Sequence, residues 1–196
     1  MEDIRICYIG DSFVNGVGDP YFLGWSGRLS AMNQNRNQKI THYNLGIRGD
    51  TSADILARWE REAEARLPKF SINCAVFSFG LNDTIIEKKR VKVSLVNSMK
   101  NIRLILGRAK AKYNVVMIGP PAIDNDKHNA RIKTYDEAYA TVCNMLGVNY
   151  LSIFNKLVDD KEWREEVSLN NHSHPTEKGY DMLAKYIYSW NGWWFI

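Results

Sequence analysis

Five short apolar runs, separated by longer stretches of helical period, constrain this chain more than any other feature. The runs occupy residues 4–9, 40–45, 74–79, 115–118 and 148–153, and each is followed closely by Gly, Pro, Asn or Asp. Runs of that length closed by turn residues read as buried strands. The segments between them carry a different period. Ile55, Leu56, Trp59, Ala63 and Leu67 form one apolar stripe over residues 53–67, with Glu and Arg opposite and Thr51 or Ser52 placed to cap. Over residues 93–111 the stripe is Leu95, Met99, Ile102, Leu106 and Ala109, spaced four, three, four, three. Residues 131–146 make a more polar third helix. Thr176 can cap a last one running through Met182, Leu183, Tyr186 and Ile187. Strands alternating with helices require right-handed crossovers that put helices on both faces of a parallel sheet. The expectation is a three-layer α/β/α sandwich, one domain over residues 1–196.

Composition agrees with that class and excludes others. The chain has 196 residues, 45% hydrophobic and 24% charged, which is ordinary globular usage and neither disordered nor coiled-coil. No apolar run reaches the ~20 residues that span a bilayer, so no integral membrane segment is expected. Glu2, Asp3 and Arg5 sit where a signal peptide would need a basic start and an unbroken apolar run, so a cytoplasmic protein is expected. Cys7, Cys74 and Cys143 are widely spaced with no C-x-x-C pair, which points away from zinc and disulfides. Cys7 and Cys74 lie in apolar runs and read as small buried hydrophobes.

In open parallel sheets ligands bind beyond the carboxyl ends of the strands, so the turns after the five runs carry the chemistry. After the first run comes Gly10-Asp11-Ser12-Phe13-Val14-Asn15-Gly16. A serine there can present its hydroxyl at the sheet's upper edge, or merely sit at a helix cap. Neither phosphate-loop glycine pattern fits. After the second run, Gly46-Ile47-Arg48-Gly49-Asp50-Thr51 precedes a capped helix, where a glycine lets a backbone N–H approach a ligand or simply makes the turn. After the third comes Gly80-Leu81-Asn82-Asp83, whose Asn82 amide can point into the crevice or hold the turn. Far downstream, Asn170-Asn171-His172-Ser173-His174-Pro175 precedes the last helix, and His174 is held extended by the proline. A serine and a histidine are the minimum pair for nucleophilic hydrolysis.

The set Gly10-Asp11-Ser12, Gly49, Gly80-Leu81-Asn82-Asp83 and His174-Pro175 resembles, in order and spacing, the four blocks of the SGNH (GDSL) hydrolase family. The resemblance implies a five-stranded flavodoxin-like fold and serine esterase chemistry on a small-molecule ester. It implies Ser12 as nucleophile and His174 as general base, with the N–H groups of Ser12 and Gly49 and the Asn82 amide as oxyanion donors. No metal or organic cofactor is implied.

One position departs from the pattern. The family usually carries Asp three residues before the histidine, and here that residue is Asn171. An Asn can accept from Nδ1–H through its oxygen. Reversed, it donates to Nδ1 and leaves the proton on the wrong nitrogen; the corresponding Asp→Asn change in a serine protease costs about ten-thousand-fold in kcat. Three readings follow: a Ser-His pair oriented by Asn171 or a backbone carbonyl, a carboxylate supplied by Asp124 or Asp126, or a catalytically impaired ligand-binding protein.

Other features have bland readings beside the sharp ones. His172 can tune His174 or bind substrate, or be merely exposed, while His42 and His128 show no partner. The basic runs at residues 87–92 and 108–112 read as solvated helix ends, since a net charge of +4 is too small to argue for nucleic acid. Tyr21, Phe22 and Trp25 can wall an acyl pocket or belong to the core. The aromatic end, from Trp190 through Trp193, Trp194, Phe195 and Ile196, reads first as folded back on the body and second as an oligomer or membrane-surface contact. A homo-oligomer is left open.

Overall fold

The computed structural model describes residues 2–33 and 38–194, so Phe195 and Ile196 of the aromatic end lie outside the described residues. In chain order the elements are β1 (Glu2–Gly10), α1 (Ser12–Asn15), α2 (Gly24–Met32), β2 (Gln38–Gly46), α3 (Ser52–Glu64) and β3 (Ile72–Ser78). A single 3-10 turn (Asn82–Thr84), β4 (Ile86–Glu87), β5 (Arg90–Val91), α4 (Leu95–Lys110) and β6 (Asn114–Ile118) follow. The chain continues through α5 (Asp126–Leu146), β7 (Asn149–Leu151), α6 (Phe154–Leu157), α7 (Lys161–Leu169) and α8 (Glu177–Tyr188).

Five parallel strands run in the order β2-β1-β3-β6-β7, and β4 pairs with β5 as a separate antiparallel hairpin. Chain order reverses on either side of β1, so the crevice beyond β1 and β3 is the switch point where such sheets bind ligands. Alternation along β1 divides the interior in two. Ile4, Ile6 and Tyr8 join Trp25, Leu29, Trp163, Tyr180 and Leu183 on one face, against α2, α7 and α8. Cys7 and Ile9 join Ile55, Trp59, Ile102, Leu106 and Tyr139 on the other, against α3, α4 and α5. A strand covered on both faces needs no polar side, which is why the runs read as continuously apolar.

The expected stripes are the buried ones, with adjustments at the ends. α5 begins five residues earlier than expected, because Asn125 caps it by accepting from His128 N–H at 2.9 Å. Thr176 occupies the N-cap position of α8, but its side chain makes no cap bond and instead donates to Glu166. The basic run at residues 87–92 is not a helix end; it is the β4–β5 hairpin, with Lys88 and Lys89 at its turn. The second basic run closes α4: Lys112 bridges Glu60 and Glu64 of α3, and Lys110 donates to the Leu146 carbonyl at the end of α5. The aromatic end does fold back. Trp193 is buried in the first core cluster with Trp190 and Trp194 packed around it, and its indole N–H donates to Asn33 at 3.0 Å.

Candidate active site

Ser12 is the first residue of α1, two residues beyond the end of β1. Asp11 caps that helix by accepting from Phe13 N–H at 3.0 Å, which aims the opening turn of α1. Gly10 has no substitute here, because a Cβ would collide with the Ser78 carbonyl of β3. The segment between α7 and α8 approaches from the other side. His174 Nε2 lies 2.8 Å from Ser12 Oγ, across 162 residues of sequence, and Phe13 packs against the imidazole at 4.8 Å between centroids. Ser12 and His174 are both nearly enclosed, at 5% and 8% exposure.

Asn171 meets the other imidazole nitrogen. Its Oδ1 accepts from the backbone N–H groups of Ser173 at 3.1 Å and His174 at 2.8 Å. Two amide donors on that oxygen fix which way the side-chain amide faces. His174 Nδ1 then lies 3.2 Å from Asn171 Oδ1 and 3.1 Å from Asn171 Nδ2. A protonated Nδ1 can donate to the oxygen, and a bare Nδ1 can accept from the NH₂, so this neighbour accommodates both tautomers where a carboxylate would favour one. The replacement carboxylate expected from Asp124 or Asp126 is not found at His174. Asp124 Oδ2 is 2.8 Å from His172 Nδ1 and its N–H donates to the His172 carbonyl, while Arg164 pairs with Asp124 at 3.5 Å and with Asp126 at 3.0 Å. His172 is exposed but partnered, and it clasps the histidine segment to the turn after β6.

The three expected oxyanion donors lie on turns that hydrogen bonds hold side by side. Gly49 has φ +89°, a conformation that suits glycine, and the space its missing Cβ would fill is open. Asn82 Nδ2 donates to the Asp50 carbonyl at 2.9 Å and approaches Asp11 Oδ2 at 3.5 Å. Two residues without an assigned role in the sequence reading organise these loops. Asp83 is fully buried and accepts from Ser52 N–H at 2.7 Å, from Ser98 Oγ at 2.5 Å and from Tyr139 OH at 3.3 Å, so it caps α3 from the turn after β3. Arg58 of α3 donates to Asp50 Oδ2 at 2.6 Å, to Glu62 Oε2 at 2.6 Å and to the Gly10 carbonyl at 2.9 Å. The one local hint was acid–base–acid spacing at Asp54, Arg58 and Glu62, which reads equally well as a solvated helix face.

Burial sets the charges. It pushes the His174 imidazole down to about 4, helped by the nearby Arg48 guanidinium, so the ring is neutral at pH 7 and free to take a proton. Burial pushes the Asp11 carboxyl up to about 7, Asp83 and Asp50 add to the rise, and the Phe13 N–H opposes it. Asp83 is also raised, chiefly by burial. Elsewhere, Cys7, Cys74 and Cys143 are buried, with thiols pushed up to about 12 by desolvation, and stand as inert core residues. His42 meets the Tyr8 ring edge-on and His128 bonds Thr84 at 2.7 Å. Of the three aromatics after the serine turn, Trp25 belongs to the core, while Tyr21 and Phe22 are exposed.

A serine two residues past the first strand meets a histidine from the far end of the chain on a flavodoxin-like sheet, with glycine and asparagine turns after the neighbouring strands. Residues 8–182 match the GDSL-like lipase/acylhydrolase family, and the chain belongs to that family. No curated protein matches its sequence. Solved structures share the fold at low identity. A lipase/acylhydrolase from Enterococcus faecalis is 20% identical, with 96% of this chain and 94% of that one covered and a TM-score of 0.74. An acetylxylan esterase from Geobacillus stearothermophilus is 19% identical over 92% and 90%, at 0.76. A lipolytic G-D-S-L family protein from Veillonella parvula is 20% identical over 93% and 94%, at 0.75.

Proposed function

We propose that the protein is a serine hydrolase that cleaves carboxylic esters through an acyl-enzyme on Ser12. The observation that carries the reading is the 2.8 Å contact between Ser12 Oγ and His174 Nε2 at the sheet's switch point. His174 Nε2 takes the Ser12 proton as Oγ attacks the acyl carbonyl, and the resulting oxyanion is met by Ser12 N–H, Gly49 N–H and the Asn82 amide. The imidazolium returns its proton to the leaving alcohol, the C–O bond to that alcohol breaks, and water activated by His174 then releases the acid. Nδ1 keeps its hydrogen throughout and donates it as a hydrogen bond to Asn171 Oδ1. The acetylxylan esterase neighbour supports small acyl groups such as acetyl as first substrates to try. Hydrolysis of p-nitrophenyl acetate that is lost in Ser12→Ala and in His174→Ala supports the reading; turnover unchanged in Ser12→Ala overturns it.

A second reading, an impaired ligand-binding protein on the same fold, is favoured by one observation. Asn171 Oδ1 already accepts two backbone N–H groups, leaving its NH₂ as the group best able to serve Nδ1. In that state the proton stays on Nε2, and His174 donates to Ser12 instead of accepting from it. Wild-type protein that leaves every p-nitrophenyl ester intact while Asn171→Asp hydrolyses them would favour this reading.

A further inference from the structure

We infer that Arg58 is the positioning residue of the oxyanion hole, an assignment that rests on reading the crevice as a serine esterase site. The three proposed donors come from three separate turns, after β1, β2 and β3. Other bonds tie these turns in pairs: Gly10 to Ile47 between the first two, and Asp83 to the Ser52 N–H between the last two. Arg58 adds a single side chain that reaches all three. Its Nη2 donates to the Gly10 carbonyl at 2.9 Å, two residues before Ser12, and the same carbonyl accepts from Ile47 N–H at 3.0 Å. Its Nε donates to the Asp50 carboxylate at 2.6 Å, directly after Gly49. The Asp50 carbonyl in turn accepts from Asn82 Nδ2 at 2.9 Å, which ties in the third donor. One planar guanidinium therefore reaches the first turn through Gly10, the second through Asp50, and the third through the backbone of Asp50.

The chemistry explains why the residue is Arg. A guanidinium offers five N–H donors in a fixed plane and holds a carboxylate and a carbonyl at set angles, whereas an ammonium is a flexible point charge that cannot span both. Arg58 and Asp50 are both mostly buried, at 15% and 13% side-chain exposure, so solvent competes little for the pair. The remaining donor, Nη1, goes to Glu62 one helical turn on, which holds the side chain but touches none of the three turns. Arg58 itself touches no reacting atom in this account; it acts through the loops.

The test compares Arg58→Ala, Arg58→Lys, Asp50→Asn and Glu62→Gln in the full chain. Misplacing oxyanion donors by a fraction of an ångström to an ångström raises the barrier without weakening ground-state binding, so kcat on p-nitrophenyl acetate is expected to fall roughly ten- to a hundred-fold in Arg58→Ala with KM nearly unchanged. Arg58→Lys is expected to fall almost as far, Asp50→Asn part of the way, and Glu62→Gln to match wild type. Millimolar guanidinium chloride is expected to restore part of the Arg58→Ala rate. A second arm does not depend on turnover: in ¹⁵N-labelled protein the Gly49 and Ser12 amides and the Asn82 side-chain NH₂ resonances should shift together in Arg58→Ala and stay in place in Glu62→Gln. Three unmoved resonances, or Arg58→Lys at the full wild-type kcat, would overturn the assignment. Wild-type protein inactive on every ester, with the resonances still shifting in Arg58→Ala, would instead defeat the esterase reading and leave Arg58 as a link between the turns. Should Arg58→Ala fail to fold, Asp50→Asn and Arg58→Lys carry both arms.

Discussion

In the proposed esterase, catalysis turns on which nitrogen of His174 holds the proton. The side-chain amide of Asn171 stands within 3.2 Å of Nδ1 through its oxygen and 3.1 Å through its nitrogen, so both tautomers are served. Replacing it by Asp, with the backbone N–H groups of Ser173 and His174 still there to orient the carboxylate, removes the wrong tautomer's partner. Asn171→Asp is therefore expected to raise kcat by about ten-fold or more, against the ten-thousand-fold scale of the reverse change in a serine protease. It is also expected to raise the pH of the acid limb, because a carboxylate stabilises the imidazolium. In the wild type, burial and Arg48 hold His174 near 4, so the neutral, proton-accepting ring persists well below the usual histidine value. The kcat/KM profile is expected to bend near about pH 4 rather than near ~6.5. Arg48→Gln removes one of the two depressing causes and should move that bend upward; a bend that stays in place would show that Arg48 does not act on the ring. The blocks around Ser12, Gly49 and Asn82 were legible in the sequence because each lies in a turn after a strand, and that around His174 because a proline follows it just ahead of the last helix. The orientation of Asn171 was not, since it depends on two backbone amides that only the folded loop brings to one oxygen.

At the scale of elements, buried carboxylates do the fastening. Asp83 joins the turn after β3 to the start of α3, to α4 through Ser98 and to α5 through Tyr139. Asp83→Ala leaves the Ser52 N–H without its partner in a dry interior and leaves the Ser98 and Tyr139 hydroxyls only each other, at a cost of about 2 kcal/mol or more by urea unfolding. A loss below about 1 kcal/mol would show that water or a neighbour replaces the carboxylate. Glu166 of α7 plays a similar part beside the histidine segment, accepting from Thr176 and from Gly179 N–H at 3.2 Å at the start of α8. The apolar stripes of α3 and α4 could be read directly, because a 3.6-residue period survives in the sequence. α2 and α7 could not. α2 begins with Gly24, its N-cap Leu23 makes no side-chain cap bond, and its apolar residues are few. α7 carries three acidic residues around the buried Trp163 and Val167. The β4–β5 hairpin was hidden by its charges, since two residues per strand leave no alternation to read.

Across the whole molecule, the parallel strands and the covering of both sheet faces follow from five apolar runs and right-handed crossovers, while the order of the strands was implied only by the family resemblance, through its flavodoxin-like fold. Among the described residues, no helix is long and apolar enough to cross a membrane. The aromatic end acts on the body of the fold: Trp193→Ala should cost about 3 kcal/mol of stability from its buried volume while leaving kcat near wild type. Asp11 links stability to pH. Its carboxyl is raised from about 3.8 to about 7 in the folded state, so between those values the native protein binds more protons than the unfolded chain. That group's contribution is present at low pH and is lost as the pH rises through about 7. Asp11→Asn, which does not titrate, should gain in Tm on the wild type between pH 4 and 7; parallel curves would contradict the shift. The central claim, that Ser12 is a nucleophile activated by His174, is tested most directly by treating the protein with a fluorophosphonate and locating the adduct by peptide mass spectrometry. One phosphonyl group on Ser12, abolished in His174→Ala and in Ser12→Ala, is the predicted result. Unmodified wild-type protein, or labelling that persists unchanged in Ser12→Ala, would contradict it.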